Sequence, residues 1–372
     1  MRILHILTTI YQGGVRSVVL DMVKAQKKAG NEVAILCLLN EDRYFNNTKE
    51  FEELGVKLYR GIYSNNKHPL HISVIRKYLQ NYDIVHIHLF PNQLFSKIAF
   101  YLIPNDKRPV LITTEHSTFN NRRKYSVLRH LDRWFYKTYS KIVCISKAAE
   151  DNLKGWLKMP ELDDRIVTIT NGVDIKKYGA AENNLPSVID YKSDKRYIVM
   201  VARMNYPKDP LTLVKSITYC PENVDLIFIG GGALNESIRE EAEKLKVQDR
   251  IHILGNRDDV PQLLKGCHIG VLSTKWDGFG LVAVEYMAAG LPVLATDVEG
   301  LKDVVGDRES LFPYEDYKEL GKKITRLVQD NKYWLDKKDY GLDRCKLFSV
   351  DKMNEKYLAL YSQSLKEAGK SR

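Results

Sequence analysis

The feature that most constrains the fold is an alternation of short β-rich apolar runs with helix-length amphipathic segments, and it starts twice. RILHILTTI is followed by GGVRSVVLDMVKAQKKAG, whose apolar residues recur at helical spacing and whose end carries a glycine. NEVAILCLL, YDIVHIHLF, RPVLITTEHS, KIVCIS and RIVTITNGVD continue the pattern. After a polar, Gly- and Pro-bearing stretch, KKYGAAENNLPSVIDYKSDK, it begins again with KRYIVMVARMN, VDLIFIGGG, DRIHILGN, CHIGVLST and LPVLATD. Strands with no polar alternation are buried on both faces, as in parallel sheets with helical crossovers. A chain of 372 residues suits two such domains better than one core. The expected architecture is α/β, two Rossmann-like doubly wound domains over 1–178 and 190–350 joined by a linker near 175–195. A terminal helix, SVDKMNEKYLALYSQSL, falls within 351–372.

Composition narrows the function classes. With 44% hydrophobic and 28% charged residues the chain is globular, and no window reaches eighteen uninterrupted apolar residues. MRILHILTTIYQGG is too short and too polar for a leader peptide. Cys37, Cys144, Cys220, Cys267 and Cys345 are odd in number and lack CxxC spacing, so reduced thiols in a cytoplasmic protein are expected. The net charge of +10 calls for an anionic partner: nucleic acid, anionic lipid or a phosphorylated small molecule.

In doubly wound sheets ligands bind beyond the carboxyl ends of the strands, so the loops there are the candidate sites. Gly13 and Gly14 follow the first strand and open the first helix, where backbone can approach a phosphate; the plain alternative is a tight turn. They do not form G-x-G-x-x-G, and no acid ends the second strand, which argues against a dinucleotide dehydrogenase. His116 lies just past a strand and can exchange hydrogen bonds with a sugar or carry a proton, or simply satisfy loop carbonyls. His86 and His88 alternate along one strand and are expected to meet structural partners. Without HExxH or a His/Cys grouping, no metal site is expected. Arg203 and Lys208 flank the turn after the first strand of the second half, where a fork and a point charge could grip a diphosphate. DGFGL then opens the helix that runs through VAVEYMAAG: Asp277 precedes the turn, Phe279, Gly280 and Leu281 present its amides, and Glu285 sits about one turn in. Acids at a helix mouth can merely complement its dipole, which accounts for Asp277 more readily than for Glu285 among apolar neighbours.

Arg203 with Lys208, GFGL with Glu285, and ITNGVD at 169–174 resemble the retaining glycosyltransferases of family 4, of GT-B fold. That family carries an E-x7-E pair, and here Asp277 stands in the first position. The resemblance implies two domains facing across a cleft, the first on the acceptor side, the second binding nucleotide-sugar, with the terminal helix crossing back to the first. It implies that Arg203 and Lys208 neutralise the donor diphosphate and that Glu285 binds the ribose. Asp277 and the amides of Phe279, Gly280 and Leu281 would hold sugar and phosphate. His116 would line the donor sugar, and Gly13 and Gly14 would approach phosphate or acceptor. On this division Asp277→Asn should spare binding of free nucleotide. No Asp-x-Asp occurs, in keeping with metal-independent transfer and no cofactor beyond the donor substrate.

The segment NNRRKYSVLRHLDRWFYKTYSK, 120–141, interleaves Arg122, Arg123, Lys124, Arg129, Arg133 and Lys137 with Trp134, Phe135, Tyr136 and Tyr139. A basic, aromatic helix of this kind can lie on an anionic membrane surface, or can pack its aromatics on the sheet. No nucleic-acid motif accompanies it, so none is expected as partner. The resulting expectation is a cytoplasmic hexosyltransferase, peripheral on the inner face of the membrane. It would move sugar from a UDP-sugar, ahead of a GDP-sugar, to a glycan or polyprenyl-diphosphate-linked acceptor in capsule, lipopolysaccharide or other surface polysaccharide synthesis. The rivals are a sugar-nucleotide epimerase of the same shape and a nucleotide-sugar-binding protein without turnover.

Overall fold

The computed structural model describes residues 1–10, 13–40, 48–117 and 120–370. The chain forms two compact units, one of Met1–Gly172 with Val350–Arg372, the other of Val173–Ser349. The first holds β1 (Arg2–Leu7), β2 (Glu32–Leu39), β3 (Lys57–Tyr63), β4 (Ile84–His88), β5 (Val110–Glu115), β6 (Lys141–Cys144) and β7 (Ile166–Thr168). They pair in parallel in the order β3-β2-β1-β4-β5-β6-β7. The chain winds outward from β1 through β2 and β3, then returns to place β4 on the other side of β1. That reversal is the sheet's switch point.

Helix Gly14–Lys28 covers this sheet with Val18, Val19, Met22, Val23 and Gln26, all on one stripe, and ends with Lys27 and Lys28 against its negative pole. The C-terminal helix, Val350–Glu367, buries Met353, Tyr357, Leu360, Tyr361 and Leu365 and packs on Gly14–Lys28. It therefore belongs to the first unit, as expected for the returning helix.

The second unit holds β8 (Arg196–Val201), β9 (Val224–Ile229), β10 (Ile251–Gly255), β11 (Ile269–Leu272), β12 (Val293–Thr296) and β13 (Leu311–Phe312). The order is β10-β9-β8-β11-β12-β13, again parallel, with the switch point between β8 and β11.

Two readings need correction. The stretch 175–195 is folded onto the second unit rather than strung between domains. Asp174 caps helix Ile175–Gly179, which packs on helix Leu281–Ala289, and Leu185 is fully buried. The segment 120–141 is not one continuous basic, aromatic helix, although three of its aromatics do pack on the sheet. A 3-10 turn, Asn121–Lys124, precedes helix Leu128–Tyr136. Arg123 pairs with buried Glu115 at 3.0 Å, and Arg122 lies 3.7 Å over the Phe90 ring and 3.7 Å from buried Asp132. Phe135, Tyr136 and Tyr139 are core residues. The physical reason is Glu115: a carboxylate buried at the end of β5 demands charged partners, and the nearest arginines turn inward to supply one. Strand β3 also escapes the apolar-run criterion, because KLYRGIY is largely half-exposed or exposed.

Candidate active site

The switch point of the second sheet gathers most of the expected site. The loop after β8 carries Arg203 and Lys208, and the loop after β11 carries Asp277 and the glycine turn. Backbone bonds lace the two loops together: Asp209 N–H donates to Ser273 O at 3.0 Å, and Lys275 N–H donates to Pro207 O at 3.0 Å. Thr274 Oγ1 adds a bond to Pro207 O at 3.2 Å. Asp209 caps helix Pro210–Ser216 through Thr212 N–H, with Pro210 at its first position, so the Lys208 loop is anchored at both ends.

Within this frame Lys208 Nζ donates to Asp277 Oδ2 at 2.5 Å. Asp277 Oδ1 accepts from the amides of Phe279 at 3.1 Å and Gly280 at 2.8 Å. Burial opposes the charged form of Asp277, but Lys208 and the two amides outweigh it and hold the carboxyl below its ordinary range. The carboxylate thus already fills part of the anion site that the helix mouth offers. Gly280 has φ 86°, and a Cβ there would stand 2.2 Å from Leu301 Cδ2, so glycine is required on two counts. Arg203 is exposed and makes no ion pair among the described residues. Leu281 is the first residue of the helix and half-buried.

Glu285 lies on the next turn of helix Leu281–Ala289, at the half-buried edge of the site. Burial pushes its carboxyl up to about 7, against a hydrogen bond from Tyr178 and the charge of Lys177. Tyr178 sits on the short helix in the stretch read from sequence as linker, which is why that reading overlooked it. Tyr206, strongly exposed, stands edge-on to Trp276 at 4.8 Å beside the same loops.

In the first unit Gly13 and Gly14 are exposed at the start of helix Gly14–Lys28 beyond β1, and a Cβ added at Gly13 would meet no described atom within 4 Å. His116 follows β5 and is half-buried. Its Nε2 lies 2.9 Å from His88 Nδ1. Behind His88 stand His5 and His86, fully buried, because register pairs His5 on β1 with His86 on β4 and places His88 two residues on, on the same face. Nitrogens of His5, His86 and His88 lie within 4.8 Å of one another, a grouping invisible in the linear spacing. All six of their ring nitrogens are engaged, with Gln26, His88, Tyr361, Thr114, His5 and His116. A cation there would have to displace those bonds in a fully buried pocket whose trio brings no carboxylate.

Two family descriptions match the chain: glycosyltransferase family 4 over residues 12–177, and glycosyl transferases group 1 over residues 182–341. Among curated relatives, an Escherichia coli enzyme, UDP-Gal:alpha-D-GlcNAc-diphosphoundecaprenol alpha-1,3-galactosyltransferase, is 26% identical over 59% of this chain and 59% of its own length. The chain thus spans less than two thirds of that relative. N,N'-diacetylbacillosaminyl-diphospho-undecaprenol alpha-1,3-N-acetylgalactosaminyltransferase of Campylobacter jejuni is 24% identical over 93% of this chain and 95% of its own. Among solved structures, Anabaena HepE in complex with UDP superposes with a TM-score of 0.81 at 18% identity, covering 98% of this chain and all of that one. That likeness concerns the fold. Together the two family matches span well over half of the chain, and the chain belongs to the family 4 glycosyltransferases, of GT-B fold.

Proposed function

We propose that the chain is a retaining, metal-independent hexosyltransferase that uses a UDP-sugar and a polyprenyl-diphosphate-linked acceptor. The observation that carries this reading is the second unit's switch point, where an exposed arginine, a lysine, a helix mouth and a carboxylate converge. Arg203 and Lys208 bind the donor diphosphate and stabilise the charge that develops as the nucleotide leaves. Lys208 gives one of its three N–H donors to Asp277, which leaves two for a phosphate. Glu285 accepts from ribose hydroxyls, and the departing phosphate takes the acceptor's proton, so no protein nucleophile is needed. The first unit supplies His116 as a sugar contact, with Gly13 and Gly14 near phosphate or acceptor.

Support for the donor and acceptor classes comes from the names of the E. coli and Campylobacter relatives, both of which act on undecaprenol-diphosphate-linked sugars, and from the UDP held by the Anabaena structure. Among the described residues no helix is long and apolar enough to cross a membrane. A lipid acceptor is then reached from the surface, through exposed residues of 120–141.

The test is incubation of the purified protein with UDP-galactose, UDP-glucose, UDP-N-acetylgalactosamine and GDP-mannose, each with and without a short polyprenyl diphosphate bearing N-acetylglucosamine. Acceptor-dependent nucleotide release, an α-linked product and full activity in a chelator are expected. Release of nucleotide and free sugar epimer without acceptor would instead establish the epimerase, and no turnover with any donor would leave a binding protein.

A further inference from the structure

Four histidines of the first unit, His5, His86, His88 and His116, lie on two hydrogen-bonded branches whose direction can be worked out from one amide. Gln26, buried on helix Gly14–Lys28, places Oε1 3.0 Å from His5 Nε2 and its Nε2 3.5 Å from Tyr361 Oη. A carbonyl oxygen only accepts, so His5 carries its proton on Nε2. His5 Nδ1 is then an acceptor, and His88 Nε2, 3.1 Å away, donates to it. His88 Nδ1 in turn accepts from His116 Nε2 at 2.9 Å. A neutral imidazole has one proton, so His116 is left with a bare Nδ1, which has no hydrogen-bond partner among the described residues.

A second branch runs the same way. His86 Nδ1 lies 2.6 Å from Tyr361 Oη and His86 Nε2 lies 2.7 Å from Thr114 Oγ1. If Tyr361 donates to His86, its oxygen is free to accept from Gln26 Nε2, as the amide orientation requires. His86 Nε2–H then donates to Thr114, which also meets Tyr357 Oη at 3.3 Å. Both branches meet at Gln26 and agree in direction. Burial keeps all four rings neutral by lowering their basicity, opposed at His5 by its bond to Gln26 and at His116 by Glu115.

We infer that Gln26, His5 and His88 are positioning residues that set the tautomer of His116, so that its Nδ1 accepts a hydrogen bond from a sugar hydroxyl. The inference rests on the reading of His116 as a sugar contact. It adds a selectivity: a sugar with a hydroxyl at that point is bound, and a deoxy or O-methyl analogue is not, because neither can donate to a bare nitrogen. Gln26 and His5 are buried behind His88; Gln26 acts on His116 through two rings and His5 through one.

The direct test is long-range proton–nitrogen correlation of the full chain labelled with 15N-histidine. In the wild type His116 should show a protonated Nε2 and an unprotonated Nδ1. Gln26→Leu and His88→Leu remove the anchor and the link, and should move His116 to mixed or reversed tautomers. His88→Gln keeps an acceptor towards His116 and a donor towards His5, and should restore the wild-type signal. With UDP-galactose as donor probe, the leucine variants should lose about tenfold in kcat, hold UDP as the wild type does, and be rescued in His88→Gln. Amide spectra and thermal unfolding confirm that each variant is folded. A protonated Nδ1 in the wild type, an unchanged tautomer in folded Gln26→Leu, or stoichiometric zinc bound by His5, His86 and His88 would overturn the inference. If the tautomers behave as stated but His116→Ala turns over the probe normally, the relay stands and the sugar-contact reading of His116 falls.

Discussion

At the scale of single residues, the two acids eight positions apart have opposite electrostatics. Asp277 is held charged by Lys208 and two amides, whereas Glu285 is pushed by burial up to about 7 from an ordinary 4.5. The shorter acid reaches back into the helix mouth, so a diphosphate bound there as proposed would meet a carboxylate already in place. Asp277→Asn should therefore tighten binding of free UDP while slowing transfer, a departure from the sequence-based expectation of unchanged nucleotide binding. Removing one like charge at close range is worth roughly 1 kcal/mol, or about fivefold in Kd. Calorimetry with UDP decides it, and weaker binding by the variant would refute the competition. Glu285 makes a pH prediction. Between pH 4.5 and about 7 the folded chain holds a proton that the unfolded chain has lost. Its contribution to stability is thus fully present below 4.5 and lost as pH rises through 7. Glu285→Gln should remove that loss, gaining on the wild type above pH 7 by on the order of 2 kcal/mol and not at pH 4. Denaturant titrations at both pH values measure the difference; parallel curves would show that Glu285 is not buried enough to matter.

At the scale of elements, the helix Leu281–Ala289 shows how a loop residue can govern an element. Gly280 sits at φ 86° with Leu301 closing the space its side chain would need. Gly280→Ala should cost about 1–3 kcal/mol and shift the amides that hold Asp277. A lowered melting temperature together with altered UDP affinity is the expected result, and a melting curve identical to the wild type would contradict it. This helix was legible from sequence because glycine, acid and apolar run follow one another along the chain. The histidine relay was not. HxH on one strand and TxH after another display the alternation of a sheet face, but which strands adjoin is settled by the switch in winding between β1 and β4. Tyr361, which orients Gln26, comes from more than 300 residues further along. Tyr178 was hidden for a different reason: a polar, glycine-bearing stretch reads as linker even where one buried leucine, Leu185, pins it down.

At the scale of the whole molecule, a charge of +10 must be distributed somewhere, and the inward turn of Arg122 and Arg123 changes where it can act. These two arginines serve Glu115 and Asp132, so replacing them tests folding rather than lipid binding. Removing either would take the nearest cation from a buried carboxylate and leave it only neutral donors, Gln93 and Tyr136 at Glu115 or Trp156 at Asp132, at a cost of about 3–5 kcal/mol. What the segment 120–141 does present outward is Tyr125, 64% exposed, Val127, 71%, and Trp134, 49%, with Lys124 and Lys137 also exposed. Lys97, itself buried, donates from Nζ to Trp134 O at 2.6 Å and lies 4.1 Å from the Trp134 ring and 5.0 Å from that of exposed Tyr101, so it fixes these aromatics in place without adding a surface cation. Cations beside exposed aromatics suit the interface of an anionic bilayer, where each basic residue contributes about 1 kcal/mol and salt weakens it. Lys137 contributes less than that, since Glu161 stands 3.9 Å away. The protein should therefore co-sediment with phosphatidylglycerol vesicles at low salt and be partly released at high salt, the aromatics retaining a salt-resistant fraction. Changing Tyr125, Val127 and Trp134 together to Ser should abolish that fraction, leaving UDP binding and the melting temperature as they were. If the triple variant sediments as the wild type does at every salt concentration, the lipid-facing role of this surface is wrong and a water-soluble acceptor becomes the better reading.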